Sequence, residues 1–506
     1  MPHCFKLARR LARLRFGTTV MVAGSLTLAG CTSDDPTEPE TAAVPAQDHT
    51  DAAATTDIAP GQSIQERVNS FPAGTTFRLK AGKHRMQQVT PKNGNVFIGE
   101  SGAIMSGARQ LTSFTRSGGY WVASGQTQQG TRTEASRENG LSTCDPEFPR
   151  CYFPEQLFLD GKLLKHVSSL SQVGPGKWFF DYGADKIYFG DDPTGHVIET
   201  SVTPYAFKGQ ASNVTITGLV IERYANPSGD GAIHGHGGSG WTVSDNELRW
   251  NHGTGLKLGS GMRALRNNSH HNGHLGMNGT GISDALVENN EIAYNNTAGF
   301  RATGFSGGGA KFTKTTRLTI RGNRVHDNVG KGLWTDIYNR YVLYENNVVT
   351  NNDLMGIFHE VGYDAVIRNN TVEGNGFKVP AGTMRGGGIA VVSSSNVEIY
   401  GNIVRNNQHG ISVNQDNRGS GPYGVLEVKN LYVHDNQITM TTGYTGLGLG
   451  QGVSGGTYYT SKNNRFVRNS YVLGKNARYF YWHDDDRTTA EWKSYGQDTG
   501  GTFSVR

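Results

Sequence analysis

The chain has 506 residues, with 69 Gly, only 16 Pro, and 48 Lys and Arg against 43 Asp and Glu, a formal charge of +5. Gly at this level with so little Pro and no Gly-X-Y period excludes a collagen-like fibre, and dense Gly and Asn with few helix formers speak against a helical protein. A charge this near balance leaves no footprint of nucleic-acid binding, and no such partner is expected.

The amino terminus reads as an address. Lys6, Arg9, Arg10, Arg13 and Arg15 form a basic stretch with no acid, and residues 17–28 are apolar and small, too short to span a bilayer. This run ends in Leu28-Ala29-Gly30-Cys31, which resembles the lipobox of bacterial lipoproteins. The resemblance implies removal of residues 1–30 as a signal peptide, acylation of Cys31 and a lipid-anchored place in the cell envelope, at the outer membrane in a Gram-negative host. Residues 31–57 then read as a disordered tether, rich in Pro, Ala and Thr, with seven acids and no Lys or Arg. Without the leader cations and the tether acids the folded part carries roughly +7, a mild bias towards an anionic partner.

Residues 58–107 begin with Ser63-Ile64-Gln65-Glu66, a capping-box pattern, and Ile64, Val68 and Phe71 give an apolar side, so a short helix is predicted over 63–70. Residues 75–80 alternate like a strand and end at Ala81-Gly82. A short helix feeding such a strand resembles the amino-terminal cap of right-handed parallel β-helix proteins of the pectin-lyase-like superfamily. Residues 108–205 are less repetitive and predict an inserted β-rich subdomain around Trp178, Phe179, Phe180 and Tyr182. Cys144 and Cys151 lie within it, seven apart, and in an exported chain a disulfide is expected rather than a zinc site.

From residue 213 the repeat is explicit. Asn follows a short alternating strand at 246, 268, 290, 323, 347, 370, 402, 436 and 464, and a second Asn recurs at 251, 272, 295, 328, 352, 375 and 407. Asn tolerates left-handed backbone, and its amide can bond the neighbouring coil, so one sharp corner per coil is predicted. The pattern resembles the parallel β-helix repeat of the same superfamily. The expected fold is an all-β right-handed parallel β-helix over 206–475, with short helical caps. The carboxyl-terminal cap, 476–506, holds the capping-box match Thr488 to Glu491 and Trp492.

Alternation sends every second residue of the Gly-led strands outwards. Aligned on the Gly, one outward column holds Lys257, Asn278, Lys311, Trp334, Phe358, Ala390 and Ser412, and the next holds Gly259, Thr280, Thr313, Asp336, Glu360, Val392 and Asn414. Asp336 and Glu360 thus become neighbours ~4.8 Å apart. Like charges so close need a shared cation or a proton. With Trp334 and Phe358 beside them they suggest a sugar-binding groove, with Lys257 and the loop residue Arg385 as further substrate contacts; the alternative is that loop 376–388, with Lys378 and Arg385, covers the rings while Arg or Lys bridges the carboxylates. Two chemistries use this face. In a polysaccharide lyase, the reading slightly favoured by the sequence, Asp336 and Glu360 hold Ca²⁺ while Lys311 or His359 removes a proton. In a glycoside hydrolase the two carboxylates are themselves the acid and the nucleophile. Strict alternation places His359 inwards. The alternatives are a non-catalytic glycan-binding surface lipoprotein and a metal-accessory protein built on His234, His236, His252, His270 and His271. A monomer is expected.

Overall fold

Strands of two to seven residues, with apolar side chains on one face and Asn or Gly at the corners, bury that face by stacking coil on coil. In the computed structural model, which describes residues 55–132, 143–301, 307–379, 386–450 and 452–506, they do so along the length of the chain. The leader, Cys31, most of the tether and Arg385 lie outside the described residues.

Three long sheets form the walls. The first has thirteen strands among the described residues, from Thr55–Ile58 to Arg465–Val467; the second has thirteen, from Gly82–Arg85 to Thr502–Val505. The third has twelve, from Phe207–Lys208 to Asp485–Thr488, and its last pair alone is antiparallel. The fold is a right-handed parallel β-helix. Inward residues stack in register: Val287, Ile320, Tyr344, Ile367 and Ile399 on the first sheet, and Met277, Ala310, Leu333, Ile357 and Ile389 on the third. All are at most 1% exposed and join one continuous core.

The corners divide two tasks that the sequence had assigned to one residue. At the first corner a buried Asn donates from Nδ2 to the Oδ1 of the Asn one coil on, at 2.9–3.1 Å, through Asn246, Asn267, Asn290, Asn323, Asn347, Asn370, Asn402, Asn436 and Asn469. The left-handed backbone belongs to the preceding residue: φ is +59° at Asp245 and +55° at Asn289, Asn346 and Asn369. The ladder member at the second coil is therefore Asn267, not the exposed Asn268, which sits inside a strand. Asn464 also lies off the ladder, at another corner, where it accepts from Leu431 N and donates to Val428 O. A second ladder runs from Asn251 to Asn407.

Each end is covered. Ser63 caps helix Ile64–Ser70 by accepting from Glu66 N, and Thr488 and Glu491 form a complete capping box on helix Thr489–Ser494. That second helix drives Trp492 into the core, where its Nε1 donates to Asp498, the carboxylate on which the first Asn ladder ends. Between them, Val96–Gly99 pairs directly with Thr215–Thr217 and Ala103–Ser106 with Val220–Glu222, so residues 108–201 leave the solenoid and return to it. They build a four-stranded and a five-stranded sheet with a separate core that includes Leu157, Trp178, Phe180 and Ile187. Buried Glu199 fastens this excursion to the coils through Arg85 and Arg223. Cys144 and Cys151 are joined in a disulfide.

Candidate functional site

The third sheet carries both outward columns in the register read from the sequence. Lys257, Asn278, Lys311, Trp334, Phe358, Ala390 and Ser412 are successive partners in one. Thr313, Asp336, Glu360, Val392 and Asn414 are successive partners in the other. Asp336 and Glu360 thus face the same way from adjacent strands, Lys331–Asp336 and Ile357–Glu360. Parallel strands in register place such a pair ~4.8 Å apart at the backbone.

Each carboxylate is held by its own cation. Asp336 Oδ2 lies 2.9 Å from Lys311 Nζ, and Glu360 Oε1 accepts from Arg418 at 2.9 Å. Arg418 also reaches Asp416 at 3.5 Å. The two cations differ in freedom. The Lys311 side chain is 18% exposed and lies with Nζ 3.6 Å from the Trp334 ring centre, whereas that of Arg418 is 37% exposed. Lys331 Nζ also approaches the Trp334 ring, at 4.0 Å. This pairing answers the repulsion that two unscreened neighbouring carboxylates would suffer.

Walls rise on both sides of this floor. Leu354 and Met355, from the turn before Ile357–Glu360, and Val379, from the loop before Gly387–Val392, form an apolar cluster with Trp334, Phe358, Ala390 and Val392. After the strands, Tyr338, Val361, Tyr363 and Leu426 form a second cluster. The exposed rings of Tyr341 and Tyr423 stand near it, with the Arg340 guanidinium 4.4 and 4.9 Å from their centres.

Several sequence expectations change in this setting. Of the two readings of Trp334 and Phe358, open platforms or rings covered by loop 376–388, the structure has the second: they are 6% and 2% exposed and stack on each other at 5.8 Å. Their apolar faces are covered by Leu354, Met355 and Val379, the outcome favoured when large rings would otherwise meet water. His359 is enclosed in the coil at 0% exposure, with Nδ1 2.8 Å from Thr335 Oγ1, and burial pushes its imidazole down to about 4. It cannot reach a substrate on the outer face. Asp336 and Glu360 are each paired with a cation here, and Ca²⁺, which takes six to eight oxygens, would need further ligands beside them. Among the described residues no cluster of three or more His, Cys, Asp or Glu is arranged for a metal. The histidines proposed for one do not converge on a single point: His270 bonds Glu247 and its neighbour His271, His252 faces the inserted subdomain, and His234 lies against Asp230.

Lys257 shares the face but is taken by Asp230, at 2.8 Å. Tyr205 donates to the same carboxylate at 2.7 Å, and His234 lies 3.6 Å from it. Arg418, Asp230 and Tyr205 escaped the sequence reading because they sit on loops outside the repeat, where no period fixes their position.

The description "Right handed beta helix region" belongs to a family whose model matches residues 231–402. None of the curated proteins matches the chain. Among solved structures, "The complex structure of XylC with xylose" is similar with a TM-score of 0.62 at 15% identity, over 83% of each chain. The A-module of the mannuronan C-5 epimerase AlgE6 of Azotobacter vinelandii gives a TM-score of 0.41 at 12% identity, over 87% of this chain and 93% of that one. At these identities the likeness is one of fold.

Proposed function

We propose that the protein is a carbohydrate-active enzyme that hydrolyses a glycosidic bond on the outer face of the third sheet, with Asp336 and Glu360 as its two carboxylates. The observation that carries this reading is their register, which sets them side by side on adjacent coils. Retaining glycosidases use two carboxyl groups ~5 Å apart. Asp336, paired with Lys311, is the nucleophile. Glu360 exchanges the half-exposed Arg418 for a proton as substrate enters, and is the acid. Glu360 then gives its proton to the glycosidic oxygen while Asp336 bonds the anomeric carbon. A water, deprotonated by Glu360, releases the sugar with its configuration retained.

The lyase reading has lost its imidazole base, since His359 faces inwards. What favours it still is the trio Lys311, Lys331 and Arg418, which could neutralise a uronate carboxylate. A panel of polysaccharides and aryl glycosides, xylosides among them because XylC was solved with xylose, separates the two. Hydrolysis releases saturated reducing ends; elimination releases unsaturated ends that absorb in the ultraviolet. Asp336→Asn should lower kcat at least about a thousandfold and Glu360→Gln about a hundredfold, both folding normally. Unsaturated product, or full activity in Asp336→Asn, overturns the hydrolase. Saturable binding with no cleavage of any substrate would leave a glycan-binding protein. For location we propose a lipid anchor at Cys31 in the cell envelope, from the lipobox resemblance.

A further inference from the structure

A cavity of about 430 Å³ lies between the inserted subdomain and the coils, away from the carboxylate pair. Four aromatic rings line it: Phe148, Phe153 and Trp178 from the subdomain, and Trp250 from a solenoid corner. Its size falls within the range of small-ligand sites, ~300–1,000 Å³.

Its polar lining is what singles it out. Both ring nitrogens of His166, Nε2 of His252, Nε1 of Trp178 and Oε1 of Gln156 are buried with no hydrogen-bond partner in the protein. Trp178, His252 and Gln156 are 0%, 3% and 4% exposed. Orphaned buried polar atoms are costly and uncommon, and these five belong to residues that line one cavity. His252 uses its other nitrogen on the backbone of Cys151, so its Nε2 is left as an acceptor. Trp178 offers a donor, Gln156 an acceptor, and neutral His166 one of each. This alternation suits a polyhydroxylated ligand, and the rings suit the apolar face of a pyranose.

The charges narrow the class. Arg150, Lys162 and Lys165 line the cavity against one acid, Glu155. Glu155 is spent on the Tyr182 hydroxyl and the Gly130 amide. Arg150 and Lys165 are steadied over the rings of Phe153 and Phe148, at 4.3 and 4.8 Å. Such a site carries an excess of positive charge that a carboxylate would balance.

We infer that this cavity is a second glycan site, separate from Asp336 and Glu360, that binds an acidic sugar residue. It lies on the coils that hold His252 and Ala298, so a chain gripped there could extend along the same solenoid. The disulfide shapes it directly, since Cys151 lines the cavity and its backbone holds His252.

The test is a titration of tryptophan fluorescence in the full chain carrying Asp336→Asn, so that turnover plays no part and failure of the hydrolase reading leaves it intact. Digalacturonate should bind saturably, and neutral xylobiose at least about tenfold more weakly. His166→Phe keeps a ring against Trp178, where the native rings stack at 4.0 Å, but removes both polar atoms; it should weaken digalacturonate about tenfold or more. Ala298→Trp, which fills the cavity, should abolish binding, and circular dichroism shows whether each variant folds. Equal affinity for the neutral sugar, no saturable binding, or binding unchanged in folded His166→Phe or Ala298→Trp would overturn the assignment.

Discussion

Replacing Asn347 with Ala tests how the coils are held together. Asn347 is fully buried, and its amide makes four hydrogen bonds. Nδ2 donates to Ile320 O and to Asn370 Oδ1, both at 2.9 Å. Oδ1 accepts from Asn323 N at 3.0 Å and from Asn323 Nδ2 at 2.9 Å. Ala removes all four. Asn323 Nδ2 keeps Val287 O and Arg321 O, so that end loses little. The Asn323 backbone N–H is left inside the corner with no acceptor, at about 1–3 kcal/mol, and the two bonds given by Asn347 are worth roughly 0.5–1.5 kcal/mol each. The expected loss is about 4 kcal/mol. The control is one residue away. Asn346 is exposed with φ +55°, so Asn346→Ala meets only the left-handed penalty of about 1–2 kcal/mol, and Asn346→Gly should be near neutral. Guanidinium unfolding gives both losses, and hydrogen exchange should show the damage confined to neighbouring coils. If Asn347→Ala costs no more than Asn346→Ala, the division of labour between the two residues is wrong.

Three further outcomes follow from the same structure. Burial holds His234, His252 and His359 at about 4, below the usual 6.5, so the unfolded chain takes up protons that the folded chain refuses. Their contribution is complete above about pH 6.5 and is lost as pH falls towards 4; each can reach about 3 kcal/mol, and His359→Gln should flatten the dependence of the unfolding midpoint on pH across that window. Asp498→Ala removes the acceptor for Asn469 N, Asn469 Nδ2, Tyr471 Oη and Trp492 Nε1, and should lower the unfolding midpoint more than Asn469→Ala if the ladder depends on that end. Cys31→Ser should move the expressed protein from the detergent phase to the aqueous phase in a phase-separation assay; unchanged partition would exclude acylation there.

The fold was legible because a solenoid writes its geometry into a period. Every coil must turn at the same points and bury the same column, so Asn recurs at fixed intervals and apolar residues alternate between them. Even there the sequence mistook Asn268 for Asn267, since adjacent Asn residues differ only in which one points inwards, and it merged the left-handed residue with the ladder residue. The outward columns were legible for the same reason: strand alternation fixes the face and coil register fixes the neighbour. Exposure was not. Whether Trp334 and Phe358 meet water depends on Leu354, Met355 and Val379, which arrive from turns with no repeat. The partner of Glu360 comes from a residue 58 positions away.

Repeat geometry also favours the site proposed for the two carboxylates. In a folded globular enzyme, two carboxylates meet through long-range packing that any core change can disturb. Here their backbone separation is the rise of one coil, set by backbone hydrogen bonds and by the same ladder that holds Asn323, Asn347 and Asn370. A carboxylate at Thr313, the next position in the column, would stand two coils from Glu360, ~9.6 Å away, near the spacing of inverting rather than retaining enzymes. In the proposed hydrolase the stereochemical outcome would therefore follow from which rungs carry the acids. The loops that carry Arg418 and Val379 govern what reaches them.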